Sequence, residues 1–222
     1  MFGGNMGKET RFLPFEDAEL RLIEDEGKPV RLTGYLAKFG VMSRNLGGFF
    51  ERIEKGFFES ALERSDPVDL FNHDSNIVLG RKSAGTFKVW EDDTGLRFDC
   101  FPPDTQLVKD MVLSPIRRKD IIGNSFGFSV NGGGDMWEED EDGRTIRTLK
   151  AGGCRELFDG SQVTFPAYPE TELALRSMDE WRDSIRKTKK EEKKKKESEL
   201  AKVGMLRKIL STKQKLMAIG EL

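Results

Sequence analysis

The sequence predicts an α+β domain with a mostly antiparallel sheet or barrel. Three observations predict it. Short segments alternate apolar and polar residues with the period of two that strands show. Glu91-Asp92-Asp93-Thr94-Gly95 joins two such segments as a hairpin turn. The few helical patterns do not alternate regularly with strands, which argues against a parallel βαβ design.

The elements follow in order. Residues 1–10 are Gly-rich and are expected to be disordered. Val30 to Phe39 reads as a strand with a break at Gly34, and residues 40–48 as a loop. Ile53, Phe57 and Ala61 recur every four residues, which predicts a helix over 55–65, with Pro67 placed after its end. Val68 to Phe71 is a short strand that leads to His73. Residues 85–101 form a hairpin whose second arm puts Leu96, Phe98 and Cys100 on one face. Asp104 or Thr105 N-caps a helix carrying Leu107, Val108, Met111 and Val112, and Pro115 ends or kinks it.

The strand from Ile121 to Val130 is the most informative. Ile122, Phe126, Phe128 and Val130 share one face, with Asn124 among them. Gly123, Ser125, Gly127 and Ser129 share the other, which is stripped of bulk and leaves the Ser125 hydroxyl on an open floor. Gly132 to Gly134 and the acidic run Glu138 to Asp142 read as loop, and Arg144 to Lys150 as a strand. Leu157 to Phe165 is a last strand, interrupted at Asp159-Gly160, that leads into Pro166-Ala167-Tyr168-Pro169. Residues 179–199 are almost all charged, and Leu200, Val203, Leu206 and Leu210 then form a weak helical stripe.

Composition narrows the function. No apolar run reaches the length of a membrane-spanning helix, and the N-terminus lacks a secretory leader pattern. Cys100 and Cys154 are far apart, without metal or disulfide spacing, and are expected to be reduced thiols. Residues 179–222 carry 14 Lys and Arg against 8 Asp and Glu, so a basic tail follows an acidic body. The dinucleotide, P-loop, zinc-protease and GxSxG motifs are all missing. Neither a cofactor nor a metal is expected.

His73, in Asn72-His73-Asp74, is the one histidine of the chain. Acid–base chemistry by an imidazole therefore falls to His73. A serine hydroxyl needs such a base within hydrogen-bond reach, and the base needs an orienting partner. His73 and Ser125 fit the first two parts, but each also has a plainer reading. A loop histidine is commonly solvated, a serine between glycines is commonly just small, and Asp159-Gly160 reads as a hairpin turn.

The order of motifs resembles the tailed-phage (caudovirus) prohead protease family, which is similar to the herpesvirus assemblins. The matching strings are Gly34-Tyr35-Leu36-Ala37 with Phe39, Glu51 to Phe58, Asn72-His73-Asp74 with Leu79-Gly80-Arg81, and Asp93-Thr94-Gly95-Leu96 with Pro103-Asp104-Thr105. They continue with Gly123-Asn124-Ser125-Phe126-Gly127-Phe128 and Ser161 to Thr171, so that the resemblance covers residues 30 to 176. It implies that His73 is the base and Ser125 the nucleophile. It places the third member two residues before Ser161, at Asp159, where the family more often has Glu-Val-Ser than Asp159-Gly160-Ser161. Glu156 and Asp74 are the fallback carboxylates. By analogy with assemblin, backbone amides near Pro166 to Pro169 are the expected oxyanion donors.

Composition and the resemblance together divide the chain into a disordered N-terminus (1–10), a protease domain (11–178) and a charged basic tail, disordered or helical (179–222), and the resemblance implies a small, mostly antiparallel β-barrel surrounded by helices for the domain. It implies an assemblin-like fold and a serine endopeptidase that matures a viral procapsid inside the cytoplasm of a bacterial host. The expected partners are the major capsid protein, scaffold and the chain itself, by self-cleavage and as a homodimer. No membrane partner is expected, and nucleic acid is the least favoured. The alternative is a scaffold- or capsid-binding assembly protein with an inactive or secondary protease body. An esterase is a weaker third reading.

Overall fold

Alternation of small or polar residues with large apolar ones governs most of the body, and the strands follow it. The computed structural model describes residues 7–121, 123–165 and 172–219. Ile122 lies outside the described residues, as does Pro166 to Thr171. The chain divides into two units, Met1–Leu175 and Arg176–Leu222.

The first unit holds three sheets. The largest has the order β1–β9–β12–β5–β6, from β1 (Glu9–Pro14), β5 (Val68–Phe71), β6 (Asp74–Arg81), β9 (Gly123–Val130) and β12 (Cys154–Val163). The second runs β2–β3–β8–β7, from β2 (Arg21–Ile23), β3 (Arg31–Lys38), β7 (Phe87–Glu91) and β8 (Gly95–Cys100). The third runs β10–β11–β4, from β4 (Phe50–Ile53), β10 (Asp135–Glu139) and β11 (Thr145–Leu149). Among the described residues only the β12–β5 and β11–β4 ladders are parallel. The short helices are α1 (Phe15–Ala18), α2 (Glu59–Arg64), α3 (Gln106–Val108) and α4 (Ser114–Arg118).

This is the mixed, largely antiparallel α+β class expected, but no sheet closes into a barrel among the described residues. The open edges have local causes. β1 ends at Pro14, which has no N–H to offer a ladder. β6 meets β5 through register shifts, and Asp74 to Asn76 lie exposed.

The large core residues come from facing elements. Phe126 and Phe128 project from one face of β9 onto Phe58 and Phe57, with ring centroids 5.6 and 5.7 Å apart in edge-on contacts. Leu32, Leu36, Leu79, Leu96 and Phe98 complete this core, each essentially inaccessible to solvent.

A buried ionic cluster joins two of the sheets. Arg11 of β1 donates from Nε and Nη2 to the Glu51 carboxylate of β4 at 2.6 and 2.8 Å, and from Nη2 to Glu9 at 2.7 Å. Arg147 of β11 donates from Nη1 to Glu9 and Glu51 at 2.6 and 3.0 Å, and from Nε to Asp135 at 2.8 Å. Burial pulls the Arg147 guanidinium down, but the surrounding carboxylates outweigh it and hold its proton more tightly than usual. Two guanidiniums facing Glu9 likewise overcome burial and keep its carboxyl below the ordinary range.

Several elements depart from expectation. Glu9 and Thr10, in the segment expected to be disordered, are strand residues. The helix expected over 55–65 is confined to Glu59–Arg64, because Gly56 (φ 87°) turns the chain before Phe57. Thr105 is the N-cap, its hydroxyl accepting from Val108 N. Pro115 does not end the helical segment: a π-helical turn at Lys109–Leu113 precedes it, and Pro115 sits in the first turn of α4, where its missing N–H costs nothing. The acidic run begins inside β10. β12 passes through Asp159-Gly160 without a break.

The second unit continues a helix, α5 (Glu172–Ile219). Its described side chains from 189 to 209 are exposed, while Ala174 and Met178, one turn apart near its start, are buried.

Candidate active site

Ser125 and Asp159 come together because β9 and β12 are antiparallel neighbours. Ser125 pairs with Ser161, and Gly127 with Asp159. The period of two puts all four on the sheet face opposite Phe126 and Phe128. β5 pairs in parallel with the other edge of β12, Phe71 opposite Gln162, and so carries residues 72 and 73 to the same place.

His73 sits in a tight hairpin. Phe71 pairs with Asp74 across a two-residue loop, and both Asn72 (φ 53°) and His73 (φ 56°) are left-handed. Positive φ at both central residues is the signature of a type I′ turn. That conformation suits asparagine but costs a histidine roughly 1–2 kcal/mol. The turn is tied down on three sides. Asn72 N donates to Gln162 O at 3.0 Å. Thr164 N donates to Asn72 Oδ1 at 2.8 Å, and Asn72 Nδ2 to Thr164 Oγ1 at 3.2 Å. His73 N donates to Ser161 Oγ at 3.2 Å.

The imidazole then bridges the two strands. His73 Nε2 lies 2.7 Å from Ser125 Oγ, and Nδ1 is hydrogen-bonded to Asp159 Oδ2. Ser161 Oγ lies 3.3 Å from both His73 Nδ1 and Asp159 Oδ2 and donates to the carboxylate. The other carboxylate oxygen, Oδ1, is paired with the Lys8 ammonium. Burial pushes the Asp159 carboxyl up, but the hydrogen bonds and charges of His73 and Lys8 outweigh it and hold it below the usual range.

Ser125 Oγ has a second neighbour. It donates to the Arg11 carbonyl oxygen of β1 at 2.9 Å, and its single hydrogen cannot serve both acceptors. With Nδ1–H held by Asp159 and Nε2 free, the hydroxyl hydrogen turns to Nε2 and the oxygen is primed to attack. With a doubly protonated ring, Nε2–H points at Oγ and the hydroxyl rests on Arg11. The pair can therefore deliver general-base chemistry to an acyl carbon.

The floor around Ser125 is not open. Ser125 is 0% exposed and the His73 side chain 20%. β1 lies alongside β9 with Phe12 opposite Ser125, and the Lys8 side chain passes over Gly127 where a Cβ would clash. The clearance read in the sequence is filled by this chain's own N-terminal segment.

The fallback carboxylates lie elsewhere. Glu156 is exposed, and Asp74 Oδ1 accepts from Asn76 N at 2.8 Å. The expected oxyanion donors at Pro166 to Pro169 fall outside the described residues. Sequence reasoning gave Ser161 and Lys8 no role. Ser161 could have been found from its place two residues after Asp159, on the same strand face. Lys8 carries no local signal of its own.

The opposite face of the same strands is also polar. Gln162 Nε2 donates to the buried Asp69 carboxyl at 3.2 Å, and Asn124 Nδ2 to Tyr35 O at 2.8 Å. Burial raises Asp69 to about 7, against lowering by hydrogen bonds from Cys100 and Gln162.

Comparison with known proteins gives a family. No curated protein matches the chain. Among solved structures, the capsid assembly protease of bacteriophage T4 is similar at 13% identity and a TM-score of 0.49, over 73% of this chain and 100% of that one. The family model described as caudovirus prohead serine protease matches residues 16–184, well over half of the chain. The chain belongs to the caudovirus prohead serine protease family and is a serine protease of phage capsid maturation.

Proposed function

We propose that Ser125 is the nucleophile, His73 the general base and Asp159 the carboxylate that orients it. The observation that carries this reading is the unbroken line from Ser125 Oγ to His73 Nε2, at 2.7 Å, and from Nδ1 to Asp159. In the first half-reaction Ser125 Oγ attacks a peptide carbonyl and His73 Nε2 takes its proton. The tetrahedral intermediate collapses, the C–N bond breaks, and His73 returns the proton to the leaving amine. Water then attacks the acyl-enzyme by the same route. Proton transfer of this kind supplies on the order of 10²–10⁴-fold. Asp159 keeps the hydrogen on Nδ1 and stabilises the imidazolium. Assemblins use a second histidine as third member, so a carboxylate at Asp159 departs from them on this reading.

The substrates on this reading are the major capsid protein, its scaffold or scaffold-like segment, and the chain's own termini. The site of action is the interior of the procapsid in the host cytoplasm. Dimerisation belongs to the same reading. A second reading, an assembly protein that binds capsid or scaffold through α5, is favoured by the exposed Lys193 to Lys196 run on that helix. Mass spectrometry of the purified chain incubated with capsid protein separates the two. New termini in capsid protein or in the chain itself, absent with Ser125→Ala, support the assignment of Ser125 as nucleophile. Identical, uncut chains in both samples overturn it.

A further inference from the structure

The Asp159 carboxylate has two nitrogen partners, and catalysis by the assigned residues explains only one. His73 takes Oδ2. Oδ1 is buried on β12 and meets the ammonium of Lys8, which precedes β1. This contact is built into the fold. Gly127 is directly opposite Asp159 in the β9–β12 ladder, and a Cβ there would collide with Lys8 Cε and Asp159 Oδ1. β1 is held in register on β9, Thr10 opposite Gly127, and Arg11 anchors it to β4 through Glu51. Lys8 is thereby delivered to one spot, its side chain 41% exposed while Asp159 is 2% exposed.

We propose that Lys8 is a positioning residue of the active site, a fourth member that fixes the Asp159 carboxylate and biases His73 toward its neutral, base-competent form. The inference rests on the triad reading. Its physics is a competition for one negative charge. Lys8 draws on the carboxylate that would otherwise stabilise the imidazolium alone, so its presence favours the neutral, base-competent ring. The other groups around Asp159 do not substitute for it. Ser161 is neutral, and Asp69 on β5 is a carboxyl on the far side of the sheet that adds negative charge only when ionised. Lys8 also lies outside the residues matched by the family model, which begin at 16. Self-trimming that removed Lys8 would therefore retune the site without touching Ser125, His73 or Asp159.

The single histidine makes the test direct. The imidazole of the full-length chain is followed by proton NMR against pH, in a Ser125→Ala background that prevents self-cleavage. Lys8→Met should move the His73 titration midpoint up by at least about half a pH unit, the shift a unit charge several ångströms away gives even at the dielectric of water. Lys8→Arg, which keeps the charge, should restore the parent midpoint. In parallel, the acid limb of kcat/KM for Lys8→Met with Ser125 intact should move to higher pH by the same amount. An unmoved midpoint in a folded Lys8→Met protein overturns the proposal, as does a shift that Lys8→Arg shares fully. Failure of the triad reading would look different: Ser125→Ala would retain peptidase activity whatever the lysine does.

Discussion

Buried carboxylates bridge strands at two places in this protein, and their partners differ in kind. Glu9 and Glu51 face the guanidiniums of Arg11 and Arg147. Asp159 faces an imidazole and an ammonium. A guanidinium stays charged at any pH a protein survives, so the first cluster has one electrostatic state. An imidazole changes charge near neutrality, so the second has two. The first works as a staple between β1, β4 and β11, and the second can move a proton. The staple also serves the site, because Arg11 holds β1 against β9 and its carbonyl accepts from Ser125. Asp69 is a third case, a buried carboxyl with no cation, which stays protonated up to about 7.

Breaking the mobile cluster should have the largest effect on rate. Asp159→Asn keeps the shape but lets the imidazole adopt the wrong tautomer, and kcat should fall about 10⁴-fold with little loss of stability. Steady-state kinetics alongside thermal unfolding separate the two quantities. Breaking the fixed cluster should have the largest effect on stability. Arg147→Met leaves Glu9 and Glu51 sharing one guanidinium in the interior, and urea unfolding should show a loss of about 3–5 kcal/mol.

The uncompensated carboxyl should respond in the opposite sense. The folded-state value of Asp69, about 7, lies above the ordinary aspartate value of 3.8. Between those values the folded chain keeps a proton that the unfolded chain has released, so stability falls as pH rises from near 4 to near 7. Asp69→Asn removes that fall. Urea titrations should show the variant and parent alike near pH 4 and the variant ahead at pH 8 by on the order of 1–3 kcal/mol.

The same contrast explains what the sequence discloses. β9 is legible because Phe126 and Phe128 alternate with Ser125 and Gly127 on a strand whose two faces do different work. β12 misleads because Asp159-Gly160 is also a turn signal. There the glycine answers to packing: a Cβ at Gly160 would sit 2.9 Å from the Leu36 side chain. β6 and β10 hide because edge strands with exposed polar residues carry no alternation. His73, Ser125 and Asp159 could be named from one histidine, one cleared face and a family resemblance. Lys8 could not, since only the register of β1 on β9 relates it to Asp159.

Covalent labelling of the full chain with a fluorophosphonate, read by peptide mass spectrometry, tests the central claim most directly. The account predicts one adduct, on Ser125, lost in Ser125→Ala and strongly slowed in His73→Ala. An adduct on another serine, or labelling of Ser125 that proceeds unchanged without His73, would contradict it.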